Sequence, residues 1–411
     1  MSGNQSPITR DALVSQTLEL VGYETANPPG DTRAIVRYLE DTFEQFGLET
    51  DRFVSEPSKP NLLVTVPGTS ERTLVYSGHL DTVPYDPDGW SYDPLGERVD
   101  DRLYGRGTTD MKGAIAAMVE LAGYYANTDE KPPLTLTFAF VSDEEVGGPA
   151  GVKALLEADK LEADACVIGE PTCTSDAHSL TVADRGSIWL TLEATGQAAH
   201  GSRPMLGVNA IDRLWDGITT IREGLEARPL SIPTPVEPIL EESLEYYAPS
   251  MGREVARDLF RHPTVNLGTI SGGEAVNSVP RSARAKLDVR LTAGVETAAV
   301  LEDVQAWVAS VDGVTIPDVS WSVGTYEETD TPLVSAVTSA AEAVLEGRVL
   351  RRSATGGGDA KRLRNAGIPT VEFAVATDTV HACDEYVTVG ALEQTAGVYL
   401  ALPALLADQV S

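Results

Sequence analysis

Cysteine is the first thing this chain lacks. It has three, at positions 166, 173 and 383, with no C-x-x-C pair among them. A disulfide framework or a zinc–thiolate site is therefore not expected, and each thiol reads as a small buried residue. Long apolar runs are also missing near the ends. Tyr399 to Ala407 is the longest such stretch, far below the roughly 20 residues that a membrane span needs. The opening MSGNQSPITR lacks the cationic-then-apolar pattern of a secretory leader. A cytoplasmic protein is expected, with no membrane partner. Lysine is scarcer still, with seven against 24 arginines, and these 31 bases face 62 acids for a formal net charge of −31. Such a surface repels nucleic acid and anionic lipid, since both are held through Lys and Arg contacts to phosphate. It also repels itself, a penalty that a screening length of about 3 Å at 1 M salt would largely remove. The expectation is a halophilic-type acidic surface suited to a salt-rich cytoplasm.

What is present points to a folded enzyme-sized chain. With 411 residues, two domains or one with a large insertion are expected, and 42% hydrophobic residues give ample core and exclude disorder. Helical spacing of Ile35, Tyr38, Leu39, Phe43 and Phe46 predicts a helix over 33–47 with Gly47 as its C-cap. Strand-like runs at 61–66, 73–77, 134–141 and 163–168 alternate with helical stretches at 112–125 and 151–158, the pattern of an α/β layered sheet. The middle differs. Ile188, Leu190, Leu192 and Ala194 alternate along one strand, and Ala283, Ala285, Leu287, Val289 and Leu291 along another. Helices at about 207–225 and 295–310 and strands at 264–270 and 314–321 complete a β-α-β-β-α-β order, the ferredoxin-like split unit. The acidic segment 240–262 suggests one further helix. The α/β pattern resumes with a helix at 331–346, a strand at 370–376 and a helix at 389–407. A discontinuous domain, 1–181 plus 326–411, thus encloses an inserted domain, 182–325.

Only five histidines exist. His178 and His262 have no carboxylates placed with them and read as structural. His79, in “GHLDTVP”, and His381, in “VHACDEY”, follow strands, as do Asp81, the run Asp143-Glu144-Glu145 and Glu170. Asp110 precedes a helix. Ligands bind at the carboxyl ends of strands in an open α/β sheet. Singly, Asp110 could be an N-cap, the acidic run a solvated loop and Glu170 a turn residue. Four segments that deliver His, Asp and Glu to one sheet edge are harder to dismiss. A mixed imidazole–carboxylate shell suits zinc or another divalent first-row ion, and the lack of thiolates favours a catalytic site. Such a set could hold two ions bridged by one carboxylate. Of the adjacent Glu144 and Glu145, one could be a ligand while the other acts as general base.

“GHLDTVP”, “LYGRGTTDMKG”, “SDEEVGG”, “IGEPT”, “AAHGSRP” and a late histidine before “DEYV” follow one another in that order. Together they resemble, over essentially the whole chain, the metal-dependent family that includes acetylornithine deacetylase, succinyl-diaminopimelate desuccinylase, aminoacylase and glutamate carboxypeptidase. The resemblance implies a zinc-peptidase-like α/β/α catalytic domain, with the inserted ferredoxin-like domain as lid and dimerisation domain. It implies two divalent ions per chain, zinc first and cobalt or manganese as substitutes. His79, Asp110 and Glu170 would hold one, and Asp110, Glu145 and His381 the other, with Asp110 bridging. Asp81 would orient His79, and Glu144 would be the general base. The Asp110–Met111 peptide would be cis. His200 would reach from the lid into a partner subunit's site and stabilise the oxyanion, while Asn277 and Arg290 match substrate-contacting lid positions. Arg290 also reads as an exposed charge on an alternating strand.

One loop departs from the family. “TGGGDAKR” at 355–362 stands where relatives commonly carry Gly-Gly-Thr-Asp-Ala-Arg, so Gly357 and Lys361 fall at substrate-binding positions, and Gly358 replaces a hydroxyl residue. Lysine lacks arginine's bidentate fork, so carboxylate recognition there is expected to be looser. The resemblance implies hydrolysis of the amide of an N-acyl amino acid, in a homodimer that takes a small-molecule substrate. A metallo-carboxypeptidase or dipeptidase on the same scaffold is the alternative. A non-catalytic metal- or amino-acid-binding protein is a remote one, since no ligand and no base is missing.

Overall fold

A computed structural model describes residues 7–174 and 177–410. The fold is mixed α/β, in two units. One takes in the chain up to Val182, Glu327–Arg352 and everything from Gly358 onward; the other is Ala183–Tyr326 with Ser353–Gly357.

An eight-stranded sheet organises the first unit. Its order is Thr50–Phe53, Asn61–Val66, Thr135–Val141, Thr73–His79, Ala165–Ile168, Thr370–Glu372, Ser179–Ala183, Leu350–Ser353. The four strands from Thr135–Val141 to Thr370–Glu372 run parallel, and antiparallel neighbours flank them. Residues Leu74–His79 and Ala165–Ile168 are buried throughout. Strands covered on both faces read as continuous apolar runs rather than alternations, which is why they stood out in the sequence. The strand expected over 73–77 continues to His79, so that residue ends the strand rather than opening the loop. The strand expected over 370–376 shortens to Thr370–Glu372.

Two glycines let a helix close over these strand ends. A Cβ on Gly78 would stand 2.8 Å from Met111 Cε and 2.9 Å from Ile115, and one on Gly169 would stand 2.7 Å from Ala114 Cβ. Helix Gly113–Ala126, buried almost all round, can therefore lie directly on the sheet, and the turn Thr108–Lys112 at its start is carried to the strand ends. The Asp110–Met111 peptide in that turn is cis. Helix Val389–Val410 is long and apolar enough to cross a membrane, but 56% of its most apolar window is buried in the protein. It packs on helices Gly113–Ala126 and Pro332–Leu345. Tyr76 Oη donates to the Tyr399 carbonyl and Tyr399 Oη to that of Phe373, both at 2.7 Å.

Several elements carried little sequence signal. Helix Arg10–Val21 buries Gln16 and Thr17 beside its apolar residues, which blurs its periodicity. Strands Glu97–Val99, Arg102–Tyr104 and Tyr386–Thr388 form a separate small sheet of three residues each, too short to show a period.

The second unit has a four-stranded antiparallel sheet ordered Thr264–Gly272, Ser282–Leu291, Gly186–Thr195, Val314–Ser322. Helices Ala210–Ala227 and Thr297–Ala309 pack on the face formed by Ile188, Leu190, Leu192, Ala285, Leu287 and Val289, the ferredoxin-like arrangement. The acidic segment makes two helices, Glu237–Met251 and Arg253–Arg261, where one was expected; Gly252, at φ 86°, separates them.

Candidate active site

The C-terminal ends of three parallel strands meet the 108–112 turn and the loop after Thr370–Glu372. Asp110 stands between the two imidazoles. Its Oδ1 is 3.1 Å from His79 Nε2, and its Oδ2 is 3.1 Å from His381 Nε2. Glu170 Oε1 lies 3.5 Å from His79 Nε2, and Glu145 Oε2 lies 3.4 Å from His381 Nε2. Donor atoms of His79, Asp110 and Glu145 lie within 4.8 Å of one another, as do those of His79, Glu144 and Glu170. All five expected ligands and Glu144 are thus brought together. His178 and His262 belong to no such group among the described residues.

Asp81 supports this set differently from the expectation. His79 Nδ1 is 2.9 Å from the Asp81 main-chain carbonyl, while the nearer carboxylate oxygen is 3.8 Å away. The carbonyl therefore orients the ring. The carboxylate instead accepts from the main-chain N–H groups of Glu144 and Glu145, each at 3.2 Å, and from Asn27 Nδ2 at 2.8 Å. Asn27 Nδ2 also reaches Asp143 Oδ1 at 3.1 Å, and Lys59 Nζ pairs with the same oxygen. Asp143 Oδ2 accepts from Ala150 N. Asp81, Asn27 and Asp143 are fully buried. Of three consecutive acids, then, Asp143 turns inward to brace the loop, and Glu144 and Glu145 face the cluster. Asn27, Lys59 and Asp143's bracing role escaped sequence reasoning, because nothing in a linear pattern pairs residues 84 or 116 apart.

The electrostatics are those of a site with more acids than bases. Burial works against charge on Asp110, yet hydrogen bonds from His381 and His79 hold it below the usual carboxylate range. Burial also opposes charge on His79, but the bond to Asp110 and the charge of Glu170 outweigh it and raise that ring well above its ordinary value. Hydrogen bonds to Asp110 and Glu145 push His381 up to about 10. Burial, with the charge of Asp359, pushes Glu144 up to about 8, and burial with Asp110 raises Glu170. Asp110, Glu144, Glu145 and Glu170 are four carboxyl groups against two imidazoles, an excess of acid that the raised Glu144 and Glu170 answer by holding protons. A donor set of two imidazole nitrogens and clustered carboxyl groups, two of which take up protons in place of a cation, fits divalent first-row cations.

Two glycines expected to matter differ in role. Gly357 is exposed. A Cβ on Gly358 would lie 2.7 Å from Glu144 Oε1, so the absent side chain makes room for the carboxylate. Lys361 is buried. In the second unit, His200 is exposed, with Nδ1 2.8 Å from Ser202 Oγ. Asn277, also exposed, lies beside it: Gly201 N donates to the Asn277 carbonyl at 2.7 Å, and His200 bridges to Ser278. Arg290 sits at the other end of its strand, opposite Ser187, whereas Ser282 pairs with Thr195 near the His200 end. Two hydrogen bonds, at 2.7 and 3.1 Å, hold its guanidinium to Asp288.

The sequence pattern of Peptidase family M20/M25/M40 matches residues 75–404. The chain belongs to this family. It is 28% identical over 397 residues to succinyl-diaminopimelate desuccinylase 2 of a Ruegeria species, covering 94% of this chain and 93% of that one. Against succinyl-diaminopimelate desuccinylase of Gluconobacter oxydans the figures are 30% over 418 residues and 98% of each. An acetylornithine deacetylase of Aliivibrio fischeri is 28% identical over 315 residues, 74% of each chain. The fold matches an M20 family metallo-carboxypeptidase from Sulfolobus solfataricus with a TM-score of 0.78 at 18% identity, over 95% of this chain and 99% of that one. Human carnosine dipeptidase 1 matches at 0.70 and 19%, over 97% of each. As an M20/M25/M40 member the chain is a hydrolase by family, and five of the six motifs supply the residues gathered around Asp110.

Proposed function

We propose that this protein is a metal-dependent amidohydrolase that cleaves the acyl–nitrogen bond of N-acyl amino acids, in the manner of the desuccinylases and deacetylases it resembles. The observation that carries this reading is the Asp110 carboxylate, each oxygen of which is 3.1 Å from a different imidazole. His79, Asp110 and Glu170 would hold one divalent ion and His381, Asp110 and Glu145 a second, with zinc as the expected metal. Bound there, the ions supply Lewis-acid polarisation of the amide carbonyl and a nucleophile at neutral pH. Glu144 takes the proton of the attacking water and returns it to the leaving amine nitrogen. Its carboxyl, held near 8 by burial and Asp359, becomes an ionised base once cationic charge is nearby. The backbone bonds from Glu144 and Glu145 to Asp81 fix which carboxylate points where.

The second unit is read as lid and dimerisation domain, with His200 as oxyanion donor to a partner's site. The chain enters that unit at Ala183 and leaves it at Tyr326, beside the Ser187–Ser322 end of the sheet, whereas His200 and Asn277 occupy the opposite end. A metallo-carboxypeptidase or dipeptidase would use the same machinery, and Lys361 in place of arginine leaves that alternative open to test. A cytoplasmic location and a salt-adapted surface complete the reading. The melting temperature should rise between dilute buffer and about 2 M KCl, and no rise would remove the salt adaptation.

Hydrolysis of N-acetyl and N-succinyl amino acids and of dipeptides, in high salt with added zinc, cobalt or manganese, tests the function. Metal-dependent release of an amino acid from an N-acyl substrate is expected. Cleavage of dipeptides alone would favour the alternative, and no cleavage of any by metal-loaded protein would contradict both.

A further inference from the structure

Two of the five proposed ligands, Asp110 and His381, come from loops about 270 residues apart in sequence. One buried ion pair joins them. Glu385 is fully buried, and its Oε1 accepts from three successive parts of the Asp110 turn: Gly107 N at 3.1 Å, Thr109 N at 2.9 Å and Asp110 N at 3.1 Å. Its Oε2 pairs with Arg106 Nη1 at 2.5 Å. Arg106, also buried, uses Nη2 to donate to the main-chain carbonyls of His381 at 3.3 Å and Ala382 at 3.1 Å. The small sheet that pairs Tyr386 with Tyr104, and the Gly105 N bond to the Glu385 carbonyl at 2.9 Å, bring the two segments side by side.

We propose that Arg106 and Glu385 are a positioning pair that sets the spacing between Asp110 and His381, and so governs the affinity of the second ion more than that of the first. This rests on the metal reading above. The first ion would draw His79 from the end of a central strand and Glu170 from just beyond another; only its Asp110 ligand depends on the pair. The second would draw both Asp110 and His381 from loops that the pair holds. A carboxylate that accepts several main-chain N–H bonds acts as a rigid anchor, and outer partners of ligands commonly change metal affinity by about 10–100-fold. Burial of the pair also means that removing one partner leaves the other charged and unmatched, so two variants are needed.

The test is titration of metal-free protein with cobalt(II), read by its visible absorption, on wild type, Glu385→Gln and Arg106→Lys. Glu385→Gln keeps the shape and removes the charge; Arg106→Lys keeps the charge and loses the fork that spans the carboxylate and the two carbonyls. Wild type should take up two ions. Each variant should keep the first and bind the second about 10–100-fold more weakly. If Glu385→Gln does not fold, Arg106→Lys decides alone. Two wild-type affinities in the variants, or equal weakening of both ions, would overturn the inference while leaving the metal site standing. A wild-type chain that takes up no cobalt would overturn the metal reading and this inference with it.

Discussion

His79 and His200 are assigned to the same reaction, and their surroundings are opposite. His79 is 2% exposed, with one ring nitrogen 2.9 Å from the Asp81 carbonyl and the other 3.1 Å from Asp110. His200 is exposed and, among the described residues, its ring bonds within its own turn, to Ser202. The contrast extends to their neighbours. In the first unit most of the site is braced from behind: the Asp81 carbonyl holds His79, the Asp81 carboxylate with Asn27 and Asp143 backs Glu144 and Glu145, and Glu385 with Arg106 backs Asp110 and the main chain of His381. In the second, Asn277 is exposed and Arg290 is tied to Asp288. Groups that must hold ions at fixed spacing need preorganisation before substrate arrives. A donor to a developing oxyanion can be brought into place by closure after substrate binds. The first unit has the marks of a preformed centre, and the second those of a supplement.

Four outcomes would break or sharpen that contrast. The largest lies inside the first unit. Glu144→Ala should cut kcat by about 10²–10⁴-fold, the span of a lost general base, with both ions retained, whereas Glu145→Ala should lose metal; equal metal loss in the two would contradict the roles. Next, His200→Ala should slow turnover by about 10²-fold. Mixing it with Glu144→Ala chains should restore part of the activity if His200 serves a partner. Absence of recovery in demonstrably mixed dimers would return His200 to its own chain or remove it from the reaction.

Asn27→Ala probes the bracing. Its amide serves both Asp81 and Asp143, so losing it should cost about 2 kcal/mol of stability, on the scale of hydrogen bonds to charged groups, read as a shift in denaturant midpoint. An unchanged midpoint would mean the bracing is incidental. The smallest effect is one of pH on metal-free protein. His381, raised from 6.5 to about 10, contributes stability that is complete below its ordinary value and lost as pH climbs through 10. Glu144, raised from 4.5 to about 8, acts in the same direction: the folded state holds a proton that the unfolded chain gives up. The melting temperature of metal-free protein should therefore fall between about pH 5 and pH 9, and saturating zinc should flatten the slope. A rise with pH would contradict the assigned partners.

Most of the layered fold was legible because the sheet is long, apolar and covered on both faces, and because the inserted unit alternates cleanly in two ten-residue strands. Five of the six motifs pointed to the residues now found around Asp110. What stayed hidden has a common physical cause. Asn27, Lys59, Arg106 and Glu385 act through contacts 54 to 279 residues away in sequence, and a buried charge is visible only once its partner is. The strand-end histidine was found, but not that the Asp81 carbonyl would orient it while the carboxylate faced Glu144 and Glu145. That division depends on the path of one loop, which Asp143 at φ 68° and its bond to Ala150 determine.

The central claim is that Asp110 is shared by two ions. Anomalous scattering at the zinc edge, from crystals of zinc-loaded protein, tests it most directly. Two peaks are predicted, one on each side of the Asp110 carboxylate, with His79 and Glu170 around the first and His381 and Glu145 around the second. A single peak, or two that do not share Asp110, would contradict it.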